Sequence, residues 1–262
     1  MVFFCFKEVR AYLVVFNGSL ISEQTAPNKK AFTDEQEGDR PAASPVPLRK
    51  LLTFPVVISV SNYVAVAFLD LSLRSLVPLF MAMPIGIGGL GLPPNKIGSI
   101  LAIQSIATVL FQLLFFAIFI RRFGERRVLT GAMSMFLLIF TLLPFISTMA
   151  AKSGLSATVW ALVACLVSLS VVADMCFGTV FMFLLASAPK TSRGAVNGLG
   201  QTSVSVARSI GPALATSLFS FSVHYNLLGG HAVYVVFSAI SLGAVTLTTR
   251  LPVTVWEEEE EG

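Results

Sequence analysis

Charged residues are scarce in this chain. Only 12% of its 262 residues are Asp, Glu, Lys or Arg, whereas 55% are hydrophobic. A typical soluble domain has about 25% charged residues, so the composition argues against one or two soluble domains. The mean hydropathy of +0.81 is typical of a membrane protein.

Cysteine and histidine are also few. Cys165 and Cys176 are eleven positions apart on one apolar stretch, roughly 16 Å along a helix, which is too far for a disulfide. The two histidines, His224 and His231, are too few to hold a metal ion. We therefore expect no disulfide framework, no metal and no cofactor.

Motifs for enzyme chemistry are absent from the sequence. It contains no Walker phosphate loop, no metalloprotease helix and no nucleophile elbow. An intramembrane protease would need a nucleophile beside a base, and no histidine lies inside an apolar stretch except His231 at an end. The excess of 18 basic over 14 acidic residues fits cytoplasmic loops better than nucleic-acid binding. The expectation is a non-enzyme whose partners are the lipid bilayer and a small molecule.

Long hydrophobic runs are what the chain has in abundance. Six of them are long enough to cross a bilayer, which needs roughly 20 helical residues. They predict an all-α membrane protein with spans at residues 54–82, 97–119, 128–149, 158–187, 195–222 and 232–250. Residues 1–49 are predicted to be an N-terminal cytoplasmic segment with a disordered linker. Residues 50–251 are the predicted six-helix transmembrane domain, and residues 252–262 a predicted acidic cytoplasmic tail.

Basic residues fall on alternate sides of these spans. Arg121, Arg122, Arg126 and Arg127 lie between the second and third spans, and Lys190 and Arg193 lie between the fourth and fifth. The loops on the other side carry few Lys or Arg. Because cytoplasmic loops are enriched in these residues, both termini are predicted to be cytoplasmic.

Charges inside the spans are the first candidates for function, because each costs roughly 2.5–3.5 kcal/mol on insertion scales. Asp70 and Arg74 are four positions apart in the first span, so they lie on one helix face and can pair. Asp174 lies inside the fourth span and Arg208 inside the fifth. We predict an intramembrane charge network of Asp70, Arg74 and Asp174.

Uncharged polar residues form stripes at helical spacing in the second and fifth spans. With Arg208 they are the predicted lining of a substrate cavity: Gln104, Thr108, Gln112, Asn197, Gln201, Ser205 and Arg208. The third and sixth spans have no internal charge, so the order polar, polar, apolar occurs twice. This order predicts two three-helix repeats, with the third and sixth spans outside against lipid. The alternative is that the polar groups only join helices by hydrogen bonds.

Proline and glycine add two further predictions. Pro78 and Pro212 are expected to bend the first and fifth spans, because proline removes a helical hydrogen bond. Gly194 and Gly198 have the spacing that allows two membrane helices to approach closely.

Three segments resemble transporters of the major facilitator superfamily, most of all the fungal multidrug-type members. They are Asn197-Gly-Leu-Gly-Gln201 with Ala207-Arg208-Ser-Ile-Gly211-Pro212, then Leu76-Val-Pro78-Leu-Phe80, and then Arg122-Phe-Gly124-Glu-Arg126-Arg127. In that order they are similar to the family's eleventh helix, its seventh helix and its basic loop between helices eight and nine. The loop lacks the acidic residue that the family places ahead of the first arginine.

The resemblance implies that the six spans correspond to helices seven to twelve, which are half of a major facilitator fold. It implies a secondary transporter that moves a small solute by alternating access, in the plasma or vacuolar membrane. The partner would be an N-terminal transporter half or a second copy of the chain. The alternative is a non-transporting degenerate paralogue or a membrane scaffold.

Overall fold

The computed structural model describes residues 53–188 and 192–252. Within these ranges the chain forms seven α-helices and one 3₁₀ turn at Ile85–Ile87, and no strand is assigned there. The helices are α1 (Phe54–Ala82), α2 (Pro94–Phe123), α3 (Glu125–Ser153), α4 (Ala157–Ala173), α5 (Met175–Ala186), α6 (Arg193–His224) and α7 (Ala232–Thr248). The predicted N-terminal segment and linker, and the acidic tail from residue 253 onward, lie outside the described residues.

The helices reproduce the six predicted spans, with α4 and α5 together forming the fourth. Four spans in the described residues are long and apolar enough to cross a membrane: α1, α2, α3 and the α4–α5 pair. Helix α6 has 32 residues, but its polar stripe lowers its hydropathy, and α7 is apolar with only 17 residues. In the described residues the prediction of an all-α fold with six helical segments is confirmed. The break of the fourth span at Asp174 was not predicted.

Helix α1 packs along α6 through small residues. The buried side of α6 includes Val196, Gly200, Val204, Ala207, Gly211 and Ala215. A Cβ atom at Gly211 would lie 3.1 Å from Ser72 Oγ and 3.2 Å from the Phe68 carbonyl oxygen, so the two backbones are close there. The close approach predicted at Gly194 and Gly198 is wrong, because a Cβ at either position meets no neighbouring atom within 4 Å.

Helix α3 packs against α7 and α4, and Phe140 of α3 stacks on Phe237 of α7 with ring centroids 5.2 Å apart. Eleven of its 29 residues are buried, whereas Ile97 alone is buried in α2. One side of the third span is thus buried in the bundle, and its predicted position outside the cavity against lipid stays a prediction. Helix α3 contacts both α4 and α7, whereas α2 is mostly exposed and contacts chiefly α4.

The pairing of helices follows the two predicted repeats. Spans one and five pair as α1 with α6, and spans two and four pair as α2 with α4. If the two repeats are equivalent, spans one, two and three correspond to spans four, five and six. The pair of spans one and five then corresponds to the pair of spans four and two, and the α3–α7 pair joins the equivalent spans three and six. This is the arrangement expected of half a major facilitator fold.

Candidate functional site

Arg74 joins two buried carboxylates from different spans. Its Nε donates to Asp70 Oδ2 at 2.8 Å, and its Nη2 donates to Asp174 Oδ1 at 2.9 Å. The side chains of Asp70 and Asp174 are 8% and 9% exposed, whereas that of Arg74 is 52% exposed. Such charge-assisted hydrogen bonds are about twice as strong as neutral ones. The structure thus brings together the three residues of the predicted charge network.

Asp174 lies at the one-residue break between α4 and α5. Its backbone carbonyl accepts from the Phe177 N–H at 3.4 Å, one residue short of the α-helical partner. Helix α2 supplies two further donors: Thr108 Oγ1 donates to Asp174 Oδ2 at 2.9 Å, and Gln112 Nε2 donates to the Asp174 carbonyl at 3.2 Å. Three spans therefore meet at this residue.

Close packing of α2 on α5 keeps these donors in place. A Cβ atom at Gly178, one turn after Asp174, would lie 2.7 Å from the ring of Phe116 in α2. A side chain at position 178 would displace the end of that ring, so the glycine favours the contact between α2 and α5 near the break.

A cavity of about 240 Å³ lies beside the charge network. Its polar wall consists of Asp70, Arg74, Gln104, Ser105, Ser170 and Asp174, and its apolar wall of Leu73, Val77, Pro78, Leu101, Phe136 and Ala173. With both acids ionised, the two carboxylates and one guanidinium carry a net charge of −1. Polar groups that converge beside apolar side chains can orient a small molecule.

The polar residues of α6 lie apart from this cavity. Gln201 Nε2 donates to the Tyr63 hydroxyl at 3.3 Å. Ser205 and Arg208 are exposed, and Asn197 Oδ1 is buried without a hydrogen-bond partner among the described residues. Arg208 makes no hydrogen bond or ion pair with a described residue, although its positive charge is near enough to attract the Asp70 carboxylate. The predicted cavity lining is thus divided between two places.

The remaining predicted residues lie along the helices and at one end of the bundle. Helix α1 runs through Pro78, which lines the cavity, and α6 runs through Pro212. Gly124, with φ of +79°, is the single residue that separates α2 from α3. Arg126 Nη2 donates to the carbonyl of Thr249 after α7, while Arg122 and Arg127 are exposed.

Sequence reasoning missed Phe136 and Tyr63. Phe136 was overlooked because its span was expected to lie outside the cavity, and Tyr63 because a single aromatic residue in an apolar helix gives no signal. Ser170 was indicated by the sequence, because it is four positions before Asp174 and this spacing places both on one side of the helix; both line the cavity.

Comparison with known proteins identifies the family. A sequence profile of the Major Facilitator Superfamily matches residues 23–262. The chain is 29% identical over 231 residues to Major facilitator-type transporter psiT2 of Psilocybe cyanescens, with 84% of this chain and 44% of the relative covered. The chain therefore belongs to the Major Facilitator Superfamily, a family of membrane transporters.

Other relatives are also much longer than the part that this chain matches. Major facilitator superfamily multidrug transporter mfsB of Aspergillus fumigatus is 27% identical, with 81% of this chain and 35% of the relative covered. Protein ZINC INDUCED FACILITATOR-LIKE 1 of Arabidopsis thaliana is 26% identical, with 92% and 53% covered. The chain spans about half the length of these relatives or less. No solved structure matches it.

Proposed function

We propose that this chain is the C-terminal six-helix half of a secondary transporter that moves a small solute by alternating access. The observation that carries the proposal is Arg74, which links α1 to the break in the fourth span beside a cavity. Charges within membrane spans are costly and commonly serve transport pathways.

The charge network would act as a lock between α1 and the fourth span. Asp70 and Asp174 are buried, but half of the Arg74 side chain is exposed, so a solute in the cavity can compete for its guanidinium. Competition for Arg74, or protonation of Asp174, weakens the link between the two spans. A ligand shifts a conformational equilibrium only by its difference in affinity for the two states, and this link provides such a difference.

The polar face of α6 would complete a larger cavity against a partner bundle. Ser205 and Arg208 are exposed within a membrane span, where contact between a charge and acyl chains is costly. An N-terminal transporter half or a second copy of the chain would cover this face. The substrate path would then run between the two bundles, and Gln201, Ser205 and Arg208 would line it on the side of this chain.

We also propose that both ends of the transmembrane domain are cytoplasmic, in the plasma or vacuolar membrane. The exposed side chains of Arg122, Arg127 and Arg250 lie at one end of the bundle, and the enrichment of basic residues there supports a cytoplasmic position of that end. Labelling with a membrane-impermeant thiol reagent in intact cells tests this. With the chain in the plasma membrane and Cys5, Cys165 and Cys176 replaced by serine, Leu155→Cys, at the opposite end, should react, whereas Phe123→Cys should not.

A transport assay distinguishes this proposal from a non-transporting scaffold. The full chain, expressed in cells that lack their own multidrug exporters, is tested for export of rhodamine 6G, fluorescein and a neutral fluorescent dye. We expect the chain to change the accumulation of at least one dye and Arg208→Ala to abolish the change, while Thr202→Ala, an exposed control on α6, preserves it. Chain that reaches the membrane and changes no dye supports the scaffold. Full activity of Arg208→Ala removes α6 from the substrate path.

A further inference from the structure

Four arginines gather where the α2–α3 junction meets the end of α7. We name Arg122, Arg126, Arg127 and Arg250 the arginine cluster. Arg126 fixes the arrangement, because its Nη2 donates to the carbonyl of Thr249, the residue before Arg250. The contact joins two parts of the chain that are 123 positions apart.

Three members of the cluster lack a counter-ion in the described part of the chain. The side chains of Arg122, Arg127 and Arg250 are exposed, and none makes an ion pair or hydrogen bond with a described residue. Glu125 adds one negative charge to the junction. The arginine cluster is therefore a site of excess positive charge that fits an anionic partner.

The chain leaves the bundle beside this cluster. Leu251 is 2% exposed, so the backbone is held against the bundle up to the last described positions. Five residues then separate Leu251 from a run of five glutamates, Glu257–Glu261. The six steps from Leu251 to Glu257 span at most about 22 Å at roughly 3.3–3.6 Å each, so the run is tethered within reach of the cluster.

We propose that Glu257–Glu261 bind the arginine cluster and form an electrostatic latch between the α2–α3 junction and the end of α7. Arginine pairs with carboxylates through two parallel hydrogen bonds, and the number of glutamates is sufficient for all four arginines. A short tether gives an effective concentration in the millimolar range, which favours this segment over a free anion. The latch does not depend on whether the chain transports a solute.

Anionic lipid headgroups offer the same carboxylate or phosphate chemistry, so the test must separate the two occupants. The full chain, with Cys5→Ser, Cys165→Ser and Cys176→Ala, receives the pair Phe123→Cys and Gly262→Cys. Phe123 is exposed beside Arg122, and Gly262 directly follows the glutamates. Disulfide formation under mild oxidation is measured in nanodiscs of phosphatidylcholine, and again with 30% phosphatidylserine.

The latch predicts efficient cross-linking that falls at least fivefold in two cases: when the five glutamates are changed to glutamine, and in 0.5 M NaCl, which screens charges. Changing Arg122 and Arg127 to Glu should also reduce the cross-linking. In that variant, changing the five glutamates to lysine should restore the cross-linking, because the charges are then exchanged. The pair Leu155→Cys and Gly262→Cys is the negative control, because Leu155 lies at the end of the bundle opposite the arginine cluster. Equal yields with glutamate and glutamine would overturn the proposal. So would loss of cross-linking in phosphatidylserine discs, since the cluster then binds lipid.

Discussion

At the scale of single residues, Asp174 is where charge, helix geometry and the cavity meet. Its carboxylate accepts from Arg74 and Thr108, and its backbone carbonyl accepts from Gln112. Removing one partner of a buried charged group costs about 1–3 kcal/mol, because the other partner stays desolvated. The residue therefore contributes to stability as well as to the proposed transport.

Substitutions at this residue should follow a fixed order of destabilisation. Asp174→Ala loses both side-chain hydrogen bonds and leaves Arg74 with Asp70 alone, so we expect a loss of about 1–3 kcal/mol. Thr108→Val loses one bond and should cost less. Ser168→Ala, an exposed position on α4 whose hydroxyl bonds only to the Ala164 carbonyl, is the control and should cost least. Thermal unfolding of the detergent-purified chain measures the order, and equal midpoints for all three variants would contradict it.

His231 gives a prediction for acid. It lies just before α7, and burial lowers its pKa below the usual 6.5. Because the unfolded chain binds this proton more readily, the neutral form contributes stability above about pH 6.5, which is lost as the pH falls through the lower folded pKa. His231→Gln should therefore flatten the decline of the unfolding midpoint between pH 7 and pH 5. A decline that His231→Gln leaves unchanged would contradict this prediction.

The sequence predicted part of this site. The spacing of Asp70 and Arg74 identified a pair, because residues four apart on a helix are neighbours. It did not show that Arg74 reaches Asp174, since a contact across 100 positions depends on how helices pack. The break at Asp174 also gave no signal, because neither glycine nor proline occupies that position.

At the scale of helices, small residues determine how closely α1 and α6 approach. Hydropathy predicted the bounds of the spans within a few residues, because apolar length is a property of each segment alone. Hydropathy could not identify the interface between α1 and α6. One helix contains Gly194, Gly198, Gly200 and Gly211, and these glycines differ only in which side of the helix they occupy.

A pair of glycine variants in α6 tests this packing. At Gly211→Ala the added methyl group meets Ser72 Oγ and the Phe68 backbone, so the helices must separate, at a cost of about 1–3 kcal/mol typical of overpacking. At Gly198→Ala the methyl group meets open space, and alanine favours a helix by about 1 kcal/mol over glycine. Thermal unfolding should show a lower midpoint for the first variant and no loss for the second. The reverse order would place the α1–α6 interface elsewhere.

At the scale of the whole molecule, the six spans form a bundle with two kinds of polar feature. The network of Asp70, Arg74 and Asp174 joins α1 to the fourth span through two buried carboxylates, whereas Ser205 and Arg208 on α6 are exposed. The network fits a lock within the bundle, and the exposed face fits contact with a second bundle. The resemblance to the family predicted the half fold, and the family match confirms the membership.

The most direct test of this account is the transport rate of Asp174→Asn beside that of Ser168→Ala. Both variants are expressed as the full chain in the exporter-deficient cells, with a dye that the unchanged protein transports and with surface amounts matched. The account predicts at least a tenfold loss for Asp174→Asn, because the lock loses its charge, and an unchanged rate for Ser168→Ala. Equal rates for the two variants would contradict the claim that the charge network operates the transport cycle.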